Sequence, residues 1–152
     1  MARMHARRRG KSSSKKPYRT ARPEWVELDN SDIENLIVDL YNKGYSTSRI
    51  GIELRDLHGI PDVKTAVGMS MYDILEKKGI KMEYPEDIMN LMRKAVRMHR
   101  HMTLNHKDVH NKRQLQLTEA KIRRLARYYV RSGVLPEGWA YKLHTAKLIV
   151  GD

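Results

Sequence analysis

Apolar residues recur at three- and four-residue intervals through most of the chain, and this spacing restricts the possible folds more than any other feature. The interval matches one face of an α-helix, whereas a half-buried strand would alternate every second residue. We therefore predict an all-α protein. The repeats fall in three stretches, which contain Ile33, Leu36, Ile37 and Leu40; Ile88, Met89, Met92, Val96 and Met102; and Leu115, Ile122, Leu125 and Tyr129.

Cap and turn residues divide 24–81 into three predicted short helices. The second of these would bury Ile50, Leu54 and Leu57 on one face. Three short helices with tight turns are typical of a helix-turn-helix arrangement, so we predict a small unit of that kind. The predicted starts and stops are a capping box at Ser31 and Glu34, then Gly44; Ser46 or Thr47, then His58 and Gly59; and Ser70, then Gly79.

Residues 82–152 are predicted to form a longer helical hairpin. A proline and two acids at 85–87 are typical of a helix start, because the acids face the positive end of the helix dipole. A break is expected near 103–107, followed by a second helix over about 108–131. A short amphipathic helix over 139–149 would close the chain.

Charge is distributed unevenly along the chain. The net charge of +12 exceeds the magnitude of about 2–8 that is usual for a small domain. Residues 1–23 hold nine basic residues and no acid, residues 24–81 hold seven basic and eleven acidic residues, and residues 82–152 hold fourteen and seven. The first stretch, with few apolar residues and many like charges, is predicted to be an arm that is disordered when free. The basic surplus indicates a polyanionic partner, either nucleic acid or an anionic membrane surface.

Several classes of protein find no support in the sequence. There is no cysteine, which removes disulfides and Cys-based zinc sites and fits a reducing cytosolic compartment. No apolar run approaches the length needed to span a bilayer. No nucleophile elbow, phosphate-binding glycine loop or dinucleotide fingerprint is present. His99, His101, His106 and His110 lie close together in sequence, but without an HExxH pattern they do not indicate a metal site.

A group of short polar residues is the main candidate for function. His101, Asn105, Asp108 and Asn111 are spaced by four, three and three residues. They would share a face if helical, or cluster at a corner if a turn interrupts them. Their acceptor oxygens suit the donors in the minor groove of A-form RNA, and a solvated helix corner would show the same pattern. Flanking cations that suit phosphates are Lys107, Lys112 and Arg113.

A second candidate lies downstream, where basic residues alternate with Tyr128 and Tyr129. Such residues can hold a nucleic-acid backbone while a ring stacks on a sugar or base, although a charged outer face with one core tyrosine fits as well. Adjacent helix positions point about 100° apart, so one of the two tyrosines should be buried. The basic residues are Lys121, Arg123, Arg124, Arg127 and Arg131.

Two alternative functions are a DNA-binding regulator and an enzyme that acts on RNA. A helix-turn-helix regulator would bind DNA through residues 24–81, but a recognition unit normally carries its own basic footprint and this stretch is net negative. An RNA-acting enzyme would need a general base or metal near the groove, for which His101 and Asp108 are the only pair to nominate.

Long motifs resemble one known family over nearly all 152 residues. They are HKDVHNKR at 106–113 with KIRRLARYY at 121–129, then IGIELRDLHG at 50–59, VLPEGW at 134–139, and the starts MARMH, PYR and PEW at 1–5, 17–19 and 23–25. The chain resembles the S-fifteen family of small-subunit ribosomal proteins, called S-thirteen in eukaryotes, in its longer archaeal and eukaryotic form.

The resemblance implies a structural protein of the small ribosomal subunit, located in the cytoplasm, with no enzymatic activity, cofactor, metal, membrane or small-molecule substrate. It implies that the C-terminal helices bind a three-way junction of central-domain ribosomal RNA and a nearby minor groove, early in subunit assembly. Neighbouring ribosomal proteins are expected partners. Large-subunit RNA or protein is a further candidate, because the family lies near the face that meets the large subunit.

The resemblance also implies roles for particular residues. The family sets two histidines, an aspartate and a serine against the minor groove; His101 and Asp108 match, while Asn105 and Asn111 replace the second histidine and the serine. Lys81, Met82 and Glu83 stand where bacterial members have a Thr-Gly turn, so no role is carried there. At the junction, the matching aromatic and basic positions are Tyr128 and Arg131. For a ribosomal RNA-binding protein, the residues that we expect on phosphates are Lys107, Lys112, Arg113 and Arg124.

Overall fold

The computed structural model describes Lys15, Tyr18 and residues 21–151, and the regular structure in them is entirely helical. The predicted all-α fold is confirmed. The predicted disordered arm, 1–23, lies mostly outside the described residues and stays a prediction. Seven helices occur in the described part: α1 (Asn30–Asn42), α2 (Thr47–His58), α3 (Val63–Val67), α4 (Met71–Lys77), α5 (Glu86–Leu104), α6 (Val109–Arg131) and α7 (Leu143–Val150).

The described residues divide into two compact units, one ending at Met82 and the other beginning at Glu83. In the first unit, α1, α2 and α4 surround one apolar core. Burial of these side chains supplies most of the stability of such short helices, because an isolated helix of this length is only marginally stable in water. The residues that are completely or almost completely buried are Ile33, Ile37, Ile50, Leu54, Ile60, Ile74 and Leu75.

The start of α1 differs from the prediction. The helix begins at Asn30 with Asp29 as its N-cap, so Ser31 lies inside the helix and caps nothing. Glu34, the other half of the predicted capping box, is largely buried and accepts a hydrogen bond from Lys77 on α4 at 3.0 Å. The capping-box prediction was therefore wrong because a contact 43 residues away takes the carboxylate.

Helices α2 and α4 begin where the sequence predicted. Ser46 caps α2, and Ser70 caps α4 in a reciprocal capping box with Asp73. The prediction of three helices missed α3, which Asp62 caps just after Pro61. Leu57 is 72% exposed, so it does not share the buried face of Ile50 and Leu54.

The second unit is built on the hairpin of α5 and α6. The two helices run antiparallel, because contacts pair early residues of one with late residues of the other: Asp87 with Tyr129, then Met98 with Thr118. The predicted break and restart are close to those observed, with Asp108 as the N-cap of α6. The side chains buried in this core include Ile88, Met92, Val96, Ile122, Leu125 and Ala146.

The C-terminal helix is shorter than predicted. It begins at Leu143 rather than at Trp139. The residues before it run without regular structure, and Trp139 packs its ring near that of Tyr84, with 6.4 Å between the centroids. Gly138, at φ 81°, allows a backbone conformation that other residues rarely adopt, in the turn just before the tryptophan.

Candidate nucleic-acid interface

The turn between α5 and α6 brings the four predicted polar residues together at a corner. His101 lies in the last turn of α5 and Asn105 follows as its C-cap. Asp108 is the N-cap of α6, and Asn111 lies in the first turn of that helix. Because residues 105–108 leave the helical path, the alternative of one continuous helical face is excluded and the corner arrangement is correct.

Asp108 is the centre of a hydrogen-bond network at this corner. Its Oδ1 accepts from the backbone N–H of Asn111 at 2.9 Å, and its Oδ2 accepts from the Asn111 side-chain amide at 2.6 Å. The Nε2 of His101 lies 3.0 Å from the same Oδ2. The Asn105 amide donates to Nδ1 of that ring at 3.2 Å. A neutral imidazole with its proton on Nε2 satisfies both contacts.

These donors also control the charge of the carboxyl. The backbone N–H of Asn111, its side-chain amide and the His101 ring hold the pKa of Asp108 well below its usual value. Hydrogen bonds to the ionised form favour that form, so Asp108 is a carboxylate at physiological pH. The corner therefore combines one fixed negative acceptor with neutral polar groups.

Acceptor capacity remains at this exposed corner. A carboxylate has about four acceptor positions, and Asp108 uses three of them within the protein. The amide oxygens of Asn105 and Asn111 accept no hydrogen bond from the described part of the chain. Lys107 and Lys112, both exposed, flank these acceptors. The corner can accept hydrogen bonds from a ligand, and the two lysines can contact anionic groups of that ligand such as phosphates.

Arg113, Arg124 and Arg131 form a stripe along α6 together with Tyr128. At about 100° per residue, the three arginines point within about 20° of one another, and Tyr128 within about 60° of them. The buried Ile122 faces the opposite side, and the buried Leu125 points about 100–120° away from the three arginines. All four stripe residues are exposed. The helix therefore turns its apolar side to the core and a cationic side to solvent.

The two adjacent tyrosines have separated as predicted. Tyr128 is 62% exposed, while Tyr129 is half-buried and donates its hydroxyl to Asp87. Their rings meet edge to face, with 5.2 Å between centroids. Tyr129 thus holds Tyr128 in place from the side of the core, and the exposed ring is available for stacking.

The corner and the far end of the stripe are separate patches. Twenty residues separate Asp108 from Tyr128, which is about 30 Å along a helix. Seven of the ten predicted site residues lie around the corner: His101, Asn105, Lys107, Asp108, Asn111, Lys112 and Arg113. The other three, Arg124, Tyr128 and Arg131, lie toward the C-terminal end of α6.

Two surface features were not predicted from the sequence. Leu104 and Val109 are 78% and 74% exposed beside the corner, because the turn carries them away from the core. A groove beside α6 brings Arg127 close to Trp139 and Tyr141. Helical periodicity marks apolar and basic positions, but it does not indicate where the chain folds back after a helix.

Comparisons with known proteins identify the family. The model of the ribosomal S13/S15 N-terminal domain matches residues 1–60, and that of ribosomal protein S15 matches residues 73–149. Small ribosomal subunit protein uS15 of Methanoculleus marisnigri is 55% identical over 150 residues, which cover 99% of both chains. The chain belongs to the uS15 family. The uS15 proteins of Methanospirillum hungatei and Methanocella arvoryzae are 51% and 45% identical to this chain over 150 residues, which again cover 99% of both chains.

Membership of the uS15 family confirms the resemblance seen in the sequence. The family consists of ribosomal structural proteins and not of enzymes, and its members belong to the cytoplasmic ribosome, as predicted. The two family models cover parts of both compact units, and the first also covers the arm. The helices of residues 24–81 are therefore part of the uS15 family pattern rather than a separate regulator.

The described residues of this uS15 member form neither a metal site nor a membrane span. No three histidine or acidic side chains there come close enough to hold a metal ion. None of the described helices combines the length and apolar character of a membrane span.

Proposed function

We propose that the chain binds small-subunit ribosomal RNA through both patches of the α5–α6 hairpin. The corner of His101, Asn105, Asp108 and Asn111 would lie in the minor groove of an A-form helix. The flanking cations, Lys107, Lys112 and Arg113, would contact the phosphates on either side of that groove. Farther along the stripe, Arg124, Tyr128 and Arg131 would contact the phosphates and sugars of an adjacent three-way junction. The mechanism is binding without chemistry.

One observation supports the corner most directly. The Asp108 carboxylate is held ionised and oriented by Asn111 and His101, while acceptor oxygens of the corner remain free of donors from the described residues. The minor groove of RNA presents donors, namely the guanine amino group and the 2′-hydroxyls. A preorganised acceptor loses little conformational entropy on binding, so it favours this groove over unstructured RNA.

The separation of the patches supports a junction as the ligand. Contacts about 30 Å apart on one rigid helix require RNA segments in a defined relative orientation. Binding would then select one stacked arrangement of the junction, which is a shift in the RNA population. In subunit assembly, this would present an organised central domain to later proteins and stabilise the subunit for translation.

The other parts of the chain have proposed roles as well. The arm, 1–23, would thread along ribosomal RNA as a counter-charge. The unit of 24–81, with its surplus of acids, would face neighbouring ribosomal proteins or flank RNA. Large-subunit RNA or protein is a further proposed partner, at the face between the subunits. The domain boundaries at 23/24 and 81/82 belong to this proposal.

DNA binding by the helix-turn-helix-like unit receives less support. Both arginines of α2 are engaged with carboxylates of the same helix: Arg49 with Glu53 at 2.6 Å, and Arg55 with Asp56 at 2.7 Å. A recognition helix would need such cations for phosphates and base edges.

The test is a titration of the full chain on a central-domain three-way junction, with an equally charged unstructured RNA as competitor and salt varied. We expect at least about a hundredfold preference for the junction and a steep salt dependence. His101→Ala or Asp108→Ala should reduce that preference roughly tenfold and keep most of the salt slope.

Asp56→Ala, an equal change in charge at an exposed residue of α2, is the matched control and should leave the preference unchanged. Equal affinity for both RNAs, or equal effects of Asp108→Ala and Asp56→Ala, would rule out the corner as the specific site. A DNA duplex that outcompeted the junction would reverse the ranking of partners.

A further inference from the structure

A groove of about 560 Å³ lies beside the C-terminal half of α6. One wall is formed by Arg123, Arg127 and Arg131, which follow one another at intervals of one helical turn. The other wall is the irregular segment 138–141, and Ala126 and Val130 add apolar lining. The volume lies within the range of roughly 300–1,000 Å³ that is usual for small-ligand sites.

The groove is positively charged. Arg123 donates to Glu119 at 3.2 Å, so its charge is partly neutralised. Arg127 and Arg131 have no hydrogen-bond or ion-pair partner among the described residues, and no acid lines the groove. Two unpaired guanidinium groups at one opening are a geometry that receives a phosphate.

The opposite wall is aromatic. Trp139 is half-buried and supported from behind by Tyr84, with ring centroids 6.4 Å apart. The Tyr141 ring lies under the Arg123 guanidinium at 5.9 Å. The Tyr141 hydroxyl is buried and has no hydrogen-bond partner within the described residues. The Tyr141 hydroxyl is therefore closed to solvent, and the ring is the part of this side chain that lines the groove.

We propose that this groove binds one unpaired ribonucleotide of an RNA strand, with its phosphate on Arg127 and Arg131 and its base against Trp139. Cationic groups beside aromatic rings are the usual combination for single-stranded RNA. The proposal rests on the chain being an RNA-binding protein, and it adds a site for unpaired RNA beside the stripe, with which the groove shares Arg131.

The indole N–H resonances of the two tryptophans give a local readout on the full chain. Trp139 lines the groove, while Trp25 donates its indole N–H to the Gly59 carbonyl at 2.9 Å in the other unit. A Trp25→Phe variant assigns the two signals. An oligoadenylate hexamer should shift the Trp139 signal and leave the Trp25 signal in place. An unchanged Trp139 signal at saturation would overturn the proposal.

Variants test the residues of the groove. Arg127→Gln should weaken hexamer binding roughly tenfold, because it removes one of the two guanidinium groups that receive the phosphate. Arg97→Gln, which removes the same charge from an exposed position on α5, should change it less than about twofold. Equal effects of Arg127→Gln and Arg97→Gln would mean that only net charge attracts the strand, and the groove site would be rejected.

Competitors identify the ligand class. Inorganic phosphate or hexaglutamate, at equal charge concentration, should not reproduce the Trp139 shift; if either does, the groove is an anion or acidic-peptide site and not a nucleotide site. The junction titration on the same samples separates the two proposals. A retained junction preference with no Trp139 shift contradicts the groove alone, and a Trp139 shift without junction preference contradicts the proposed function alone.

Discussion

The hydroxyl of Tyr129 lies 2.8 Å from both carboxylate oxygens of Asp87. Asp87 is in the first turn of α5 and Tyr129 in the last turn of α6, so this contact closes the open end of the hairpin. The corner of His101 and Asp108 closes the other end. Two polar contacts at opposite ends thus hold the helix that carries the proposed RNA-binding face.

Removal of the Tyr129 hydroxyl should destabilise the protein. We expect Tyr129→Phe to lower the free energy of unfolding by about 1–2 kcal/mol, because a half-buried carboxylate loses a hydrogen bond. Tyr128→Phe, at the exposed neighbouring position, should change it by less than about 0.5 kcal/mol. Urea unfolding followed by circular dichroism measures both. An equal decrease in the free energy of unfolding for both variants would show that the hydrogen bond to Asp87 does not stabilise the protein.

Arg124 should contribute to RNA affinity by contacting phosphates and not by recognising particular bases. Arg124→Gln is expected to weaken binding to the junction and to unstructured RNA alike, and to lower the salt slope by about 1. Lys94→Gln, at an exposed position on α5, is the charge-matched control and should leave the junction affinity nearly unchanged. Titrations at several salt concentrations give both slopes. A slope unaffected by Arg124→Gln would remove this residue from the phosphate contacts.

The capping serines offer a direct test of the local structure. Ser70 accepts from the backbone N–H of Asp73 and caps α4, whereas Ser31 lies within α1. Ser70→Ala should therefore cost about 1 kcal/mol of stability, and Ser31→Ala less than about 0.5 kcal/mol. Thermal unfolding of the two variants provides the comparison. A larger loss for Ser31→Ala would favour the helix start indicated by sequence alone.

Tyr141 should make stability depend on alkaline pH. Burial, with a smaller effect of the Glu119 charge, raises its pKa to about 12 from 10.0 in the unfolded chain. The unfolded state therefore loses the proton first, so the contribution to stability is present below pH 10 and is lost as the pH rises toward 12. Tyr141→Phe should flatten the stability profile in that interval.

Ultraviolet absorbance at alkaline pH supplies the measurement for Tyr141. Eight tyrosines titrate in the wild-type protein, and the difference from Tyr141→Phe isolates one. A difference curve centred near pH 10 would contradict the burial of this hydroxyl.

Most of the helices and several of their ends could be predicted from local patterns in the sequence; the exceptions are α3 and the starts of α1 and α7. Caps, glycines and apolar spacing act within a few residues, so Ser46, Ser70 and Asp108 could be recognised as helix starts or their neighbours without knowledge of the fold. The candidate residues of the corner were also recognisable, because their spacing brings them together whether or not the helix continues. Family motifs then supplied the kind of ligand that spacing alone left open.

Contacts between residues far apart in the chain could not be predicted from local patterns. Glu34 accepts from Lys77, Tyr129 donates to Asp87, and Trp139 packs near Tyr84, each across more than 40 residues. Such pairs depend on how complete helices pack, and packing reflects the shape of many side chains at once. For the same reason the groove beside α6 could not be foreseen: no local pattern indicates where the chain returns after a helix ends.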